Sequence, residues 1–418
     1  MKRTKERSPR LPSVFWRHFA ASTTSNLGDG LVAGAAPLLA LTLTDDPRLL
    51  SSVSVAAMLP WFVMALTVGV FLERHERRRI MATANALRAM LFVAATTAIL
   101  LNAMTIWWLF GVVLALAVCE VFYDMSAQAF LPSIVDEHQL ETANGRLYAA
   151  EVAANSFVGL PLGTWLFVLA AAAPFGVQAV ALVIAAFLIA SIRPKQPFIA
   201  TPTDENYMQS LRTGLAWLWS HPLLRMLAIM LGAANMCHMF AQSIFAKYVR
   251  DELGLGPRGF GLLLAATAIG SIVGGLVGAR LARLIGPAVA IVFSYAMFAA
   301  LEIIPAVLPR VWAVVIAGVL MATFGTVWNV ITVSLRQRLS PQELFGRVNS
   351  VYRFIGTGTS AFGALIGGQI AFYFGLRATY LVSGVTLGII LVIGAPRLLR
   401  HSRTYMAPER TPAPPSIT

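Results

Sequence analysis

Apolar runs of about 20 residues recur along nearly the whole chain, and nothing else in the sequence constrains its fold as tightly. A run of that length is what a helix needs to cross about 30 Å of hydrocarbon. Inside a bilayer every backbone N–H and C=O must be bonded within the protein, so only helices and closed barrels span it. Barrel strands alternate polar with apolar residues, and these runs do not. The expected fold is therefore all-α and integral to a membrane. Charged residues make up 12% of the 418 positions and hydrophobic residues 57%, whereas a soluble chain carries about a quarter charged residues. The formal charge of +13 would suit nucleic acid on a soluble domain. Here the Arg and Lys residues lie between apolar spans, where they set topology, and no nucleic-acid partner is expected.

Twelve spans are expected, at about 15–43, 50–72, 80–102, 106–128, 144–168 and 173–192, then 223–249, 258–280, 286–306, 311–335, 348–373 and 376–396. They divide the chain into a tail with a six-helix bundle (1–192), a central loop (193–222), a second six-helix bundle (223–396) and a tail (397–418). The central loop opens with Pro194 and Pro197 and becomes amphipathic through Leu211, Leu215, Trp217, Leu218 and Trp219, which suits the membrane interface. Basic residues such as Arg74, Arg77, Arg146, Arg193, Arg280, Arg336 and Arg397 gather on one side of the spans, and few lie on the other. That side is read as cytoplasmic, with both termini there and the inner membrane as the location. Cys119 and Cys237 fall inside apolar spans, so no disulfide framework or metal cluster is expected. No cleavable leader is evident.

The two sets of six spans suggest duplicated halves. Leu140-Glu-Thr-Ala-Asn144 resembles Leu344-Phe-Gly-Arg-Val-Asn349 with one residue inserted. At the same offset Gly69 falls opposite Gly274, Arg78 opposite Arg283 and Gly163 opposite Gly368. The pairs land in equivalent loops and spans of both halves.

Between spans two and three stands Gly69-Val-Phe-Leu-Glu73-Arg74-His-Glu76-Arg77-Arg78. It resembles the Gly-x-x-x-Asp-Arg-x-Gly-Arg-Arg signature of the major facilitator superfamily, with Glu73 replacing Asp and Glu76 standing where a Gly is usual. The resemblance covers nearly the whole chain. Asn26-Leu-Gly-Asp29-Gly30, Asp124-Met-Ser-Ala-Gln128-Ala-Phe-Leu-Pro132 and Gly346-Arg347-Val-Asn349-Ser350-Val-Tyr352-Arg353 are similar to the drug, macrolide and siderophore exporters of that superfamily. The resemblance implies two pseudo-symmetric six-helix bundles and export of a small molecule driven by proton influx. It also implies that Gly69, Glu73, Arg74, Arg77 and Arg78 latch helix ends in one conformation, with Asp124 or Asp136 as acidic partner. The plainer reading is that these arginines fix topology.

Charges inside a membrane are costly, by about 2.5–3.5 kcal/mol each, so each one needs a reason. Asp29 lies midway through span one between Gly28 and Gly30, with Asn26 nearby. It either knits a polar cluster between helices or binds a proton or a cationic substrate group. Glu120 and Asp124 share a face of span four, four residues apart. Counting rise along the helices places Arg88 of span three at the depth of Glu120, which makes an Arg88–Glu120 ion pair reasonable. Such a pair either holds the helices together or relays protons. Glu151 and Asn155 form a second four-residue pair in span five; the resemblance places that span on the central cavity, and capping near the helix end is the alternative. In the second half Asn235, His238, Gln242, Lys247, Asn329 and Arg353 are polar, deep carboxylates are missing, and Glu302 counts as close to the far interface and solvated. His238 is of the one residue type whose charge changes near neutral pH, although a lone helix His more often makes a structural hydrogen bond.

Glycines at 270, 274 and 278, and at 363 and 367, recur every four residues and suit close helix crossing. No phosphate-binding loop is present, and no cofactor is implied. An integral-membrane enzyme would need a cluster such as His-Glu-x-x-His or Gly-x-Ser-x-Gly, which is absent, and the six histidines are scattered. An uptake transporter of the same fold remains the alternative to an exporter. The expected partners are a small molecule, protons and the lipid bilayer, and a monomer suffices.

Overall fold

The computed structural model describes residues 11–193 and 207–405. Among the described residues the elements are α-helices, joined by two short 3₁₀ turns and one π-helical stretch. The first half comprises α1 (Ser13–Leu43), α2 (Pro47–Arg74), α3 (Arg77–Leu100), α4 (Ile106–Phe130), α5 (Leu140–Val152) continued through the π stretch Ala153–Gly159 into α6 (Leu160–Leu169), and α7 (Ala173–Ala190). After the amphipathic α8 (Tyr207–Ser220) come α9 (Pro222–Gln242), α10 (Phe245–Asp251), α11 (Pro257–Ile285), α12 (Pro287–Val307), α13 (Val311–Leu339), α14 (Gln342–Phe374) and α15 (Leu376–Tyr405). Among the described residues eleven stretches are long and apolar enough to cross a membrane, and α14 covers the remaining expected span, 348–373.

Helix boundaries follow local chemistry. Asp46 caps α2 by accepting from the Arg48 N–H, and Thr105 caps α4 by accepting from Trp108. Pro at the first positions of α2, α9, α11 and α12 starts each helix at no cost in hydrogen bonds. Gly286 and Gly375, with φ of 84° and 87°, turn the chain between α11 and α12 and between α14 and α15. Pro37, Pro60 and Pro305 lie inside helices, as membrane helices tolerate. Where one apolar span was expected over 223–249, the chain breaks at Ser243 and Ile244 between α9 and α10.

The same neighbours recur in both halves. The α1 helix packs on the π stretch, α6 and α7 as α9 packs on α14 and α15. Likewise α2 packs on α4 as α11 packs on α13, and α3 on α7 as α12 on α15. Small residues make these crossings possible. A Cβ on Gly163 would stand 2.0 Å from the Leu31 carbonyl oxygen, and one on Gly274 2.3 Å from that of Thr323. Each half has its own apolar core, and a further cluster including Leu38, Tyr248, Phe260 and Tyr380 joins the halves. Large apolar side chains such as Leu276, Phe187 and Val392 face outward, where lipid would cover them.

The amphipathic segment is helical, as its pattern predicts. Its helix, α8, packs on α14; Leu218 is fully buried in the second-half core, and Gly214 lies against the Arg347 backbone. Leu215 and Trp219 remain exposed.

Candidate functional site

Three helices converge on Asp29. On α1, Gly28 leaves room for the Gln178 side chain of α7, and Gly30 lets α1 touch the backbone of Asn155 and Gly159. Gln178 donates to Oδ1 of Asp29 at 2.7 Å, and Ser25 bonds Oδ2 at 3.4 Å. Arg88 of α3, almost wholly buried, donates from Nη2 to the same Oδ1 and forms an ion pair with it. The expected Arg88–Glu120 pair is therefore replaced by Arg88–Asp29. The reason is lateral: α3 and α1 both pack on α7, so the guanidinium reaches across α7 to Asp29. Glu120 and Asp124 remain within Coulombic range of Arg88. Asn26 is not the partner of Asp29; it donates back to the Ser22 carbonyl at 2.9 Å.

Asp29, Arg88 and Glu120 line a cavity of about 470 Å³ between the halves. Asn155 from the π stretch faces it too, whereas Glu151 is exposed one turn nearer the termini. Gln242, Ser243 and Lys247 close it from the second half, at the break between α9 and α10. The remaining wall is apolar, with Val32, Phe92, Leu116, Phe260 and Leu264 among others. A largely apolar chamber with a few converging polar groups is the form of a small-molecule site. Among the described residues no group of His, Cys, Asp and Glu could hold a metal ion.

At the end opposite the termini the halves are clasped. Ser51 meets Gly368, and Thr164 of α6 meets Gly261 of α11, while Phe62 of α2 stacks on Phe354 of α14 at 4.8 Å deeper, about midway along both helices. Arg250 bridges Asp45 at 2.5 Å and Asp251 at 2.6 Å, and Lys247 pairs with Asp251 at 2.7 Å. Arg377 pairs with Glu252 at 2.7 Å, and Arg48 lies 3.6 Å over the Phe372 ring. The hydrogen bond and charge of Arg250, with Lys247 beside it, hold the Asp45 carboxyl below its ordinary value. At Asp251 partial burial opposes the charge, but hydrogen bonds from Arg250 and Lys247 prevail and lower its value as well. A lowered carboxylate contributes above its ordinary value, about 3.9, and loses that contribution as pH falls through the value it has in the fold. Spin labels placed across this end are expected to report a closed distance from neutral pH down to that range. Below it they should report a broader distribution. An Arg250→Gln variant is expected to broaden it already at neutral pH.

The loop from 74 to 79 ties helix ends together. Arg77 donates to the Ala129 carbonyl at 3.0 Å, at the end of α4, and Arg78 to that of Ile192 at 2.8 Å, just beyond α7. Carbonyls at helix ends lack intrahelical donors and attract cations, so arginine is the natural cap. Glu76 stands at the start of α3 and pairs with Arg78 at 2.9 Å and Arg79 at 2.6 Å. Arg74 is exposed. The surroundings of Gly69, Glu73 and Arg353 lie outside the described residues.

In the second half Asn235 donates to the Gly356 carbonyl at 3.1 Å, tying α9 to α14. Gln242 lines the cavity, and Asn329 is exposed on α13. Glu302 corrects an expectation: it is fully buried and lies 2.9 Å from Nδ1 of His238, so the second half does hold a deep carboxylate. Two site residues were missed from sequence. Ser25 stands four residues before Asp29, and Gln178 is a lone amide in an apolar helix, each a readable sign of a buried polar partner.

The chain matches the transmembrane secretion effector family over residues 6–416. It is 27% identical over 414 residues to the multidrug efflux pump Tap of Mycolicibacterium fortuitum, covering 94% of this chain and 97% of that one. It is 22% identical over 389 residues to the macrolide efflux protein A of Streptococcus pyogenes, covering 92% and 95%. Among solved structures it resembles a point mutant of the nucleoside transporter NupG, with a TM-score of 0.74, 9% identity and coverage of 92% and 100%. The full-length family match, the duplicated six-span halves and the cavity between them agree: the chain belongs to the transmembrane secretion effector family of major facilitator transporters.

Proposed function

We propose that this transporter exports a hydrophobic or amphiphilic small molecule, of the drug, macrolide or siderophore class, in exchange for protons. It works by alternating access, as a monomer in the bacterial inner membrane with both termini cytoplasmic. One observation carries the coupling: within one membrane cavity the carboxylates of Asp29 and Glu120 share the single guanidinium of Arg88. Arg88 is committed to Asp29, and Glu120 accepts no hydrogen bond from another described side chain. An uncompensated charge in low dielectric is costly. Glu120 is thus the place where a proton, or the cationic group of a substrate, would supply the missing charge. The names of the relatives support export over uptake. The bundles 1–192 and 223–396 would rock about the cavity, with the far-end clasp holding one state and the Arg77–Arg78 caps keeping the first bundle rigid as it moves.

Inverted membrane vesicles test direction and driving force together. On energisation they are expected to accumulate a macrolide or a cationic dye, and a protonophore should release it. Accumulation that ignores the protonophore but requires sodium would overturn proton coupling. Loss of compound from right-side-in vesicles slower than from empty ones would point to uptake.

A further inference from the structure

His238 of α9 and Glu302 of α12 meet apart from the Asp29–Arg88 pair, and both face a second cavity of about 330 Å³ inside the second half. Glu302 has no accessible surface; Oε1 bonds His238, and Oε2 has no partner among the described residues. The His238 ring, by contrast, is 35% accessible. The wall around them is mostly apolar, and α11 and α13 add only hydroxyls such as Thr267 and Thr326. The other titratable groups facing the pair are Cys237 on α9 and Tyr380 on α15, with the Tyr248 ring of α10 tilted against Tyr380 at 4.8 Å. None of these three can become a cation.

A carboxylate enclosed this way requires one positive charge beside it. Among the cavity-lining residues His238 alone can provide it, and only by carrying a proton; the alternatives are a proton on Glu302 itself or a cation from outside. The central cavity is adjacent, because Gln242, Phe245 and Leu264 line both this cavity and the central one.

We propose that the His238–Glu302 pair binds the cationic group of an amphiphilic organic ammonium, admitted from the central cavity. The ammonium supplies the positive charge that the enclosed carboxylate requires, and no covalent bond changes. The apolar and aromatic wall takes the body of the molecule. This rests on the transport reading above and names a substrate class for it.

Ethidium, a permanent aromatic cation, tests the site when titrated by fluorescence into the purified full-length protein in nanodiscs. Wild type is expected to bind it saturably. Glu302→Gln should weaken binding by about tenfold or more. Glu302→Asp, which keeps the charge, should retain it, and this separates a lost charge from a misfolded protein. No binding by wild type, or binding unchanged by Glu302→Gln, overturns the proposal. Proton-coupled transport of an uncharged compound alongside that result would leave the export reading standing. Ethidium binding that depends on Glu302, without proton-coupled transport of any compound, would support the site and remove the export reading.

Discussion

Replacing Arg88 with leucine is expected to be among the most damaging single changes in the chain. It strands Asp29 in the membrane interior with only Gln178 and Ser25 as donors. Removing one partner of a buried pair typically costs about 3–5 kcal/mol, because the other charge is left uncompensated. Asp29→Asn should cost less: Arg88 would still have Glu120 and Asp124 within Coulombic range. The double variant Asp29→Asn/Arg88→Leu should recover much of what Arg88→Leu loses, since apolar or neutral replacement of a whole pair is often nearly neutral. Thermal melting of the four proteins in nanodiscs measures this directly. A double variant no more stable than Arg88→Leu would mean that the two side chains do not act as a pair.

The second large effect concerns helix crossings. Gly274 and Gly275 are adjacent in α11, yet a Cβ on the first would sit 2.3 Å from the Thr323 carbonyl oxygen, while one on the second meets nothing within 4 Å. Gly275→Ala is expected to be neutral or stabilising by up to about 1 kcal/mol, the intrinsic helix gain of alanine. Gly274→Ala must push α11 from α13, and overpacking of this kind costs about 1–3 kcal/mol. Gly163→Ala is expected to be worse for function, because its Cβ would meet the Leu31 backbone two residues from Asp29 and displace the wall that carries the site. Melting temperatures for the Gly274 and Gly275 variants check the contrast. Equal effects would contradict the crossing geometry.

The span pattern was legible because a bilayer imposes one length and one polarity on every crossing segment. The duplicated halves were legible too, and the recurring helix pairs repeat the correspondence of Gly69 with Gly274 and Gly163 with Gly368. Features that hold at one point along a helix were harder to read. The break at Ser243–Ile244 and the π stretch at Ala153–Gly159 interrupt segments whose composition is uniformly apolar. Depth counting placed Arg88 level with Glu120 but could not say which way around the helix it points, and packing on α7 directs it to Asp29. The same counting set Glu302 near the far interface. Yet α13 and α15 pack on α12 and His238 of α9 meets Glu302, so a residue near a helix end is nonetheless fully enclosed. For α8 the amphipathic pattern was legible, but the seating of Leu218 in the second-half core against α14 was not, since it depends on a distant helix.

The central claim is that Glu120, left without a hydrogen-bonded counter-charge beside the Asp29–Arg88 pair, couples substrate export to proton influx. Its most direct test is purified protein in liposomes with a pH-sensitive dye inside, under an imposed proton gradient, with Glu120→Gln beside wild type. Compound-dependent proton flux in wild type that disappears in Glu120→Gln, while compound binding persists, is the predicted result. Undiminished proton flux in Glu120→Gln would contradict the account.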